Sequence, residues 1–192
     1  SMLTGLTMLH LEDNPINDLK PLKNLRKIEH LTLSDTEVTD LTPLSSMSQL
    51  RNLDLCFSTV TSLKGLEELN NLKRLDMNEC PVEDLSPLSK LLQLEHLDLT
   101  ETPVVDLSPL VECRGLKSVF LCGTQVSDNS ALSRCDNLRE LDLASTQVKD
   151  LSPLNGLKNL SHVELYETPA LKTDHPLARD VKIYPPDRGH HG

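Results

Sequence analysis

Apolar residues recur along the chain with a fixed spacing of 22 residues. Each unit contains a triplet in which two aliphatic residues flank one other residue, the alternation typical of a short strand with one buried face. The first and last triplets are Leu9-His10-Leu11 and Val163-Glu164-Leu165. Eight copies in unbroken register predict a stack of repeats, each contacting its neighbours, rather than a single closed core.

Two further columns of residues complete the predicted unit. Three residues after the second strand position comes a small, mostly polar residue, and two residues later an aliphatic one, as in Thr102 and Val104. We expect the small side chains to bond backbone groups that a turn leaves unpaired. The aliphatic residues should add a second buried stripe. The small residues are Asn14, Thr36, Ser58, Cys80, Thr102, Thr124, Thr146 and Thr168.

A proline near the end of most units predicts the start of a short outer helix. In Asp106-Leu-Ser-Pro-Leu110, Ser108 is expected to cap the helix and Pro109 to occupy its first position, where the missing N–H is harmless. The few residues before the next strand leave room only for a short α or 3₁₀ helix. We therefore predict an α/β fold, a right-handed horseshoe solenoid with parallel strands on the concave side and short helices on the convex side.

The pattern LxxLxxLxLxxTxVxDLxPL resembles the 22-residue leucine-rich repeat found in internalins and in phosphatase-regulatory leucine-rich repeat proteins. The resemblance spans nearly the whole chain and implies a recognition scaffold without naming its ligand. Two units depart from the pattern. Ser62 and Gly65 replace the Asp and Pro of the third unit, and Asn129-Ser-Ala131 replaces Leu-Ser-Pro in the sixth. We expect the outer segments of these two units to deviate locally.

The register divides the chain into two parts. Residues 1–172 contain the eight repeats, and residues 173–192 are predicted to form a capping strand followed by a disordered tail. Val181 and Ile183 are expected to take the two inward positions of that strand.

The charge of the chain limits its partners. A formal net charge of −10 disfavours nucleic acid and anionic membranes and favours a basic protein. No apolar run reaches the roughly 18 residues that span a bilayer, and no leader-like segment opens the chain. We expect a monomeric interaction module without a cofactor.

The five cysteines predict free thiols and therefore a reducing compartment. Cys113 and Cys135 occupy a position that leucine fills in other units, so burial is expected. Cys56 and Cys122 share a column three repeats apart, roughly 14 Å at the strand spacing, too far for a disulfide. We therefore expect an intracellular, cytoplasmic protein, which favours the phosphatase-regulatory resemblance over an adhesin.

The outward residues of the strands predict a binding surface. Asp54, Asp76 and Asp98 should stack roughly 4.8 Å apart on successive strands, where like charges repel, so folding alone would not select them. Three of the four aromatic residues also fall on outward columns, as expected of binding hot spots. The residues expected to bind a basic, partly apolar protein segment are Asp54, Phe57, Asp76, Glu79, Asp98, Glu101, Phe120, Asp142 and Tyr166.

A plainer interpretation of the same columns is a solvated sheet face. Arg74 and His96 would then reduce the repulsion of the aspartates, and Phe57 and Phe120 would fold down over neighbouring strands.

The start of the chain supports a second function. Leu3, Leu6 and Leu9 lie in repeat register with no polar cap before them, so we expect a segment of a longer protein and an open end that offers end-to-end contact. Such a segment would serve as a structural spacer with nothing bound to its concave side.

The spacing disfavours catalysis and metal binding. His30, His96 and His162 share a column at three-repeat intervals, roughly 14 Å apart, so one ion cannot contact two of them. Cys56 with His30 and Asp54 would lie on an open sheet without an oxyanion pocket. A weak metal site on the first repeats and a calcium ladder on the aspartates are further alternatives, although a sheet supplies few of the oxygens that calcium requires. We predict no enzyme activity.

Overall fold

The computed structural model describes residues 5–172 and 182–184. Nine short strands within these residues form one parallel sheet whose spatial order follows the chain. They are β1 (Met8–His10), β2 (His30–Thr32), β3 (Asn52–Asp54), β4 (Arg74–Asp76), β5 (His96–Asp98), β6 (Ser118–Phe120), β7 (Glu140–Asp142), β8 (His162–Glu164) and β9 (Lys182–Tyr184). The predicted leucine-rich repeat solenoid is confirmed.

Equivalent residues of neighbouring repeats pair directly. Leu53, Leu75 and Leu97 are successive partners in the sheet, as the 22-residue register requires. The backbone ladder continues beyond the strands into the turns. The N–H of Phe57 donates to the carbonyl of Asn78 at 2.8 Å, and that of Glu101 donates to Cys122 at 2.7 Å. Each turn is therefore fixed by the turn of the next repeat.

The predicted role of the small-residue column is confirmed. The hydroxyl of Thr102 donates to the carbonyl of Leu99 at 2.6 Å, and Thr124 donates to Leu121 at 2.7 Å. Both threonines are buried beside the leucine core. These hydroxyls satisfy carbonyls that would otherwise be buried and unpaired where the chain leaves the sheet.

The outer segments form 3₁₀ helices rather than α-helices in the described residues. None of these helices has the length and apolar character needed to cross a membrane. Their ranges are Lys20–Leu22, Thr42–Ser46, Ser86–Leu88, Ser108–Leu110, Ser130–Arg134, Ser152–Leu154 and Pro169–Lys172.

The capping prediction for these helices is wrong. Ser108 does not precede the helix but is its first residue, and it makes no side-chain cap. Asp106 takes that role instead, since its Oδ1 accepts the Ser108 N–H at 2.8 Å and its Oδ2 accepts the Ser108 hydroxyl at 2.7 Å. An aspartate two residues before a turn residue accepts its N–H readily, and the same bonds recur at Asp84 and Asp150.

The third and sixth units behave differently from each other. Between β3 and β4 the described chain contains no 3₁₀ helix, which confirms the expected deviation, and Gly65 adopts a φ of 107°. The sixth unit keeps a helix despite its altered sequence. Its Asn129 is buried in place of leucine and donates from Nδ2 to the carbonyl of Asp150 at 3.0 Å.

The strand expected near the C-terminus lies at Lys182–Tyr184, with Ile183 paired to Val163 of β8. Val181, the predicted tail and the first four residues lie outside the described residues. The division at residue 172 remains a prediction.

Gly65→Ala is expected to destabilise the protein by about 2–4 kcal/mol, because it combines overpacking with a backbone conformation that disfavours a side chain. A Cβ at this position would lie 2.5 Å from the carbonyl oxygen of Leu41 and 2.7 Å from the Cα of Thr42. Urea unfolding would measure the change. The control is Gly156→Ala, because a Cβ there meets no heavy atom within 4 Å. Equal stabilities of the two variants would contradict this account of the third repeat.

Candidate protein-binding face

The outward side chains of β1–β8 and of the turns that follow them form the surface that we call the concave face. Successive strands end in Asp54, Asp76, Asp98, Phe120 and Asp142, each of which is also the middle residue of its aliphatic triplet. They are direct partners in that order. All five are half-buried between the flanking core residues. The predicted stacking of the three successive aspartates is confirmed.

Three of these aspartates also accept a hydrogen bond from the backbone of the turn that follows. The sequence alone did not predict these bonds. Oδ1 of Asp54 accepts the N–H of Cys56 at 3.0 Å. Asp98 accepts the N–H of Thr100 at 2.9 Å, and Asp142 accepts that of Ala144 at 2.8 Å. Folding therefore uses one carboxylate oxygen of each residue, so the inference that folding alone would not select these aspartates is too strong.

Asp76 differs from the other aspartates because two basic side chains lie against it. Its carboxylate lies 2.6 Å from Nε of Arg74 and 3.0 Å from Nε2 of His96. Burial alone would raise the pKa of Asp76, but the contact with His96 and the hydrogen bond from Arg74 outweigh burial and lower it. The predicted reduction of repulsion by Arg74 and His96 is thus confirmed at Asp76.

Asp142 has the opposite electrostatic environment. Burial, followed by the negative charges of Glu164 and Asp98, raises its pKa to about 6 despite the hydrogen bond from the Ala144 N–H. No ion pair reaches Asp142 in the part of the chain that the structure describes. Its charge at neutral pH therefore opposes folding.

The three outward aromatic residues are not equivalent. Phe57 and Tyr166 are exposed, at 51% and 42%. Phe120 is half-buried, and its ring centroid lies 5.3 Å from that of His96 at an interplanar angle of 48°. The alternative of local packing therefore describes Phe120 but not Phe57.

A column of left-handed backbone conformations follows the strands and was missed by sequence reasoning. It includes three predicted site residues, Phe57, Glu79 and Glu101, with φ between 56° and 59°. Only Gly123, in the same column, is a recognisable sequence signal for this conformation. The remaining members are Asp13, Asp35, Ser145 and Glu167. For a residue as bulky as phenylalanine this conformation is strained.

The predicted residues run without a break along neighbouring strands, because Asp76 on β4 pairs directly with Asp98 on β5. They lie on or just after β3–β7, and Tyr166 follows β8. The structure therefore brings them together as one continuous strip.

The cysteines and histidines of the face offer no activated group. Burial, followed by the hydrogen bond with Asp54, raises the pKa of Cys56 to about 12, which disfavours a thiolate nucleophile. Among the described residues, no group of three or more His, Cys, Asp or Glu side chains is placed to hold a metal ion.

Structural comparison relates the chain to leucine-rich repeat proteins of two bacteria. It is similar to internalin C2 of Listeria monocytogenes, with 35% identity and a TM-score of 0.82 over 84% of this chain and 71% of the other. Internalin F of the same organism shows 26% identity and a TM-score of 0.67, over 84% of this chain and 54% of its own. Comparison with protein-family models and with curated protein sequences gave no match.

A leucine-rich repeat protein of Leptospira interrogans shares the fold at 23% identity and a TM-score of 0.69, over 86% of this chain and 50% of its own. The chain thus spans about half the length of two of these three proteins. Fold, register and the likeness to internalin C2 define its class: the chain belongs to the leucine-rich repeat family. Within that family it is similar to two internalins.

Phe57→Asn is expected to raise the free energy of unfolding by about 1 kcal/mol, because asparagine tolerates the left-handed conformation better than phenylalanine. Urea denaturation would measure this gain. Tyr166→Asn is the matched control, since it removes an exposed aromatic residue that has no positive φ. A loss of stability at Phe57 would mean that its ring contributes packing that outweighs the backbone strain.

Asp142→Asn is expected to stabilise the protein at pH 7 by on the order of 1 kcal/mol, after allowance for solvent screening. The folded pKa lies above the usual value of 3.8, so the folded wild type binds the extra proton between these pH values. The contribution of Asp142 to wild-type stability therefore falls as pH rises from about 4 to about 6. The advantage of the variant should grow over that interval and then stay constant.

Urea unfolding of both proteins across this pH range measures the effect. Asp150→Asn is a control of opposite sign, because hydrogen bonds from the N–H and hydroxyl of Ser152 lower the pKa of Asp150. An Asp142→Asn advantage that is the same at pH 4 and pH 7 would contradict the assignment.

Proposed function

We propose that this chain is a non-catalytic protein-interaction module whose concave face binds a basic, partly apolar protein segment. Phe57 is the observation that carries the proposal. Its ring is 51% exposed, and its backbone has a φ of 59°. Solvent exposure and backbone strain both disfavour phenylalanine here. A partner that packs against the ring accounts for an aromatic side chain at this position.

The charge of the face supports a basic partner. Asp54, Asp98 and Asp142 point outward along with Glu79 and Glu101, while ion pairs within the described chain neutralise only Asp76 among the predicted acidic residues. A partner carrying lysine or arginine would meet a complementary field and associate faster at low salt. Exposed Phe57 and Tyr166 would contact its apolar side chains.

The proposal includes an intracellular location and a monomeric module. All five cysteines are free, and three of them, Cys80, Cys113 and Cys135, are buried in the core. Reduced thiols are usual in the cytosol. The net charge of −10 also opposes self-association.

The double variant Phe57→Ala with Phe120→Ala is expected to weaken partner binding about tenfold or more, a loss of about 1.4 kcal/mol. Partners would first be selected from a library of random displayed peptides and then measured by calorimetry at low and moderate salt. Selected peptides should be basic, contain apolar residues and bind more weakly as salt increases.

Leu92→Ala with Val105→Ala is the matched control, because these residues are exposed at 55% and 54% but lie outside the strands and the turns that follow them. Circular dichroism would establish that both double variants remain folded. Selection of neutral or acidic peptides would overturn the proposal, as would equal binding by the two double variants. Failure to select any peptide for the concave face would favour the structural-spacer function.

A further inference from the structure

Few carboxylates of the described chain have a cationic partner: Glu29 lies 3.2 Å from Arg51, and Glu95 pairs with Lys73 and Lys117. Most carboxylates have none, among them those on or just after β5–β8. Four of these, on or just after β5, β7 and β8, are called the carboxylate cluster: Asp98, Glu101, Asp142 and Glu164.

The sheet register brings this cluster together. Asp98, Phe120, Asp142 and Glu164 are successive direct partners on β5–β8, so adjacent Cα atoms lie roughly 4.8 Å apart. Burial, followed by the negative charges of the four cluster carboxylates, raises the pKa of the half-buried Cys122 thiol to about 11.

Small residues occupy the turns beside the cluster. Cys122 and Gly123 follow β6, and Ala144 and Ser145 follow β7. The Glu101 carboxylate lies against Gly123, where a Cβ would be 2.6 Å from Glu101 Oε1. A carboxylate thus occupies space that a side chain fills in the other repeats.

An aromatic ring lies between two of the carboxylates. Phe120 separates Asp98 from Asp142 in the register. Its ring packs against that of His96, with the two ring centroids 5.3 Å apart. A planar guanidinium can stack on such a ring while donating hydrogen bonds to carboxylates on either side. A lysine ammonium lacks the planar surface and the paired donors.

We propose that the concave face over β5–β8 binds an arginine side chain of the partner, with its guanidinium against Phe120 and between the carboxylates of Asp98 and Asp142. This inference rests on the proposed function and specifies the chemistry of the bound segment. Glu101 and Glu164 complete the negative field around the guanidinium. Charge complementarity selects the cation, and the ring selects arginine over lysine.

The test is an NMR titration of the isotope-labelled chain with three capped peptides, acetyl-Gly-Arg-Gly-amide and its lysine and citrulline counterparts. Citrulline keeps the shape of arginine without its charge. The arginine peptide should shift the backbone amides of Phe120, Cys122 and Gly123 saturably. The lysine peptide should bind several-fold more weakly, and the citrulline peptide at least about tenfold more weakly.

Asp142→Asn should weaken binding of the arginine peptide about fivefold, which is about 1 kcal/mol. Glu83→Gln removes the same charge at an exposed position outside the strand face and should leave the affinity unchanged. Lowering the pH below 6 should weaken binding to the wild type more than to Asp142→Asn, because Asp142 then takes up a proton. The spectra themselves report whether each variant is folded.

Equal affinities for arginine and citrulline peptides, the absence of saturable shifts, or shifts confined to β3 and β4 would each overturn the arginine site. The proposed function would survive that result if library peptides still bound the concave face and lost affinity in the Phe57→Ala, Phe120→Ala variant. Failure of both experiments would remove the concave face as a binding surface.

Discussion

Backbone hydrogen bonds between equivalent segments of neighbouring repeats hold this molecule together. A helix satisfies most of its own N–H groups, whereas each strand here depends on the same conformation in the next repeat. The N–H of Leu99, for example, donates to the carbonyl of Phe120 at 2.9 Å. The left-handed conformation of Phe57 persists for this reason, because relaxing it would break the bond to Asn78.

The concave face contains two residues that folding does not favour. Most residues on the convex side suit the local structure that they form. Asp106 accepts the N–H of Ser108 at the start of an outer helix, and apolar columns are buried beneath the outer helices. On the concave face, by contrast, Phe57 has a strained left-handed backbone conformation. The negative charges of Glu164 and Asp98 repel that of Asp142. Departures from local preference concentrate at functional sites in many proteins. Phe57 and Asp142 place two such departures on the concave face.

Much of the fold was predictable because one pattern fixes both burial and register. The leucine columns and the carbonyl-bonding threonines follow from side-chain type alone. The left-handed column was not predictable, because Asp, Phe, Glu, Gly and Ser all occupy it. The pairing of Asp76 with Arg74 and His96 depends on distances that a register does not supply. The carboxylate cluster likewise emerges only when Glu101 is seen to lie against Gly123.

The constant register also has a kinetic consequence. Every strand pairing from β1 to β8 joins residues that are 22 positions apart, so the sequence separation of contacts does not grow as repeats are added. Loop-closure entropy is then lost in small equal steps, rather than in one long-range closure. A chain of this design can lengthen its concave face without making its own folding slower for topological reasons, which a sandwich or barrel of equal size cannot do.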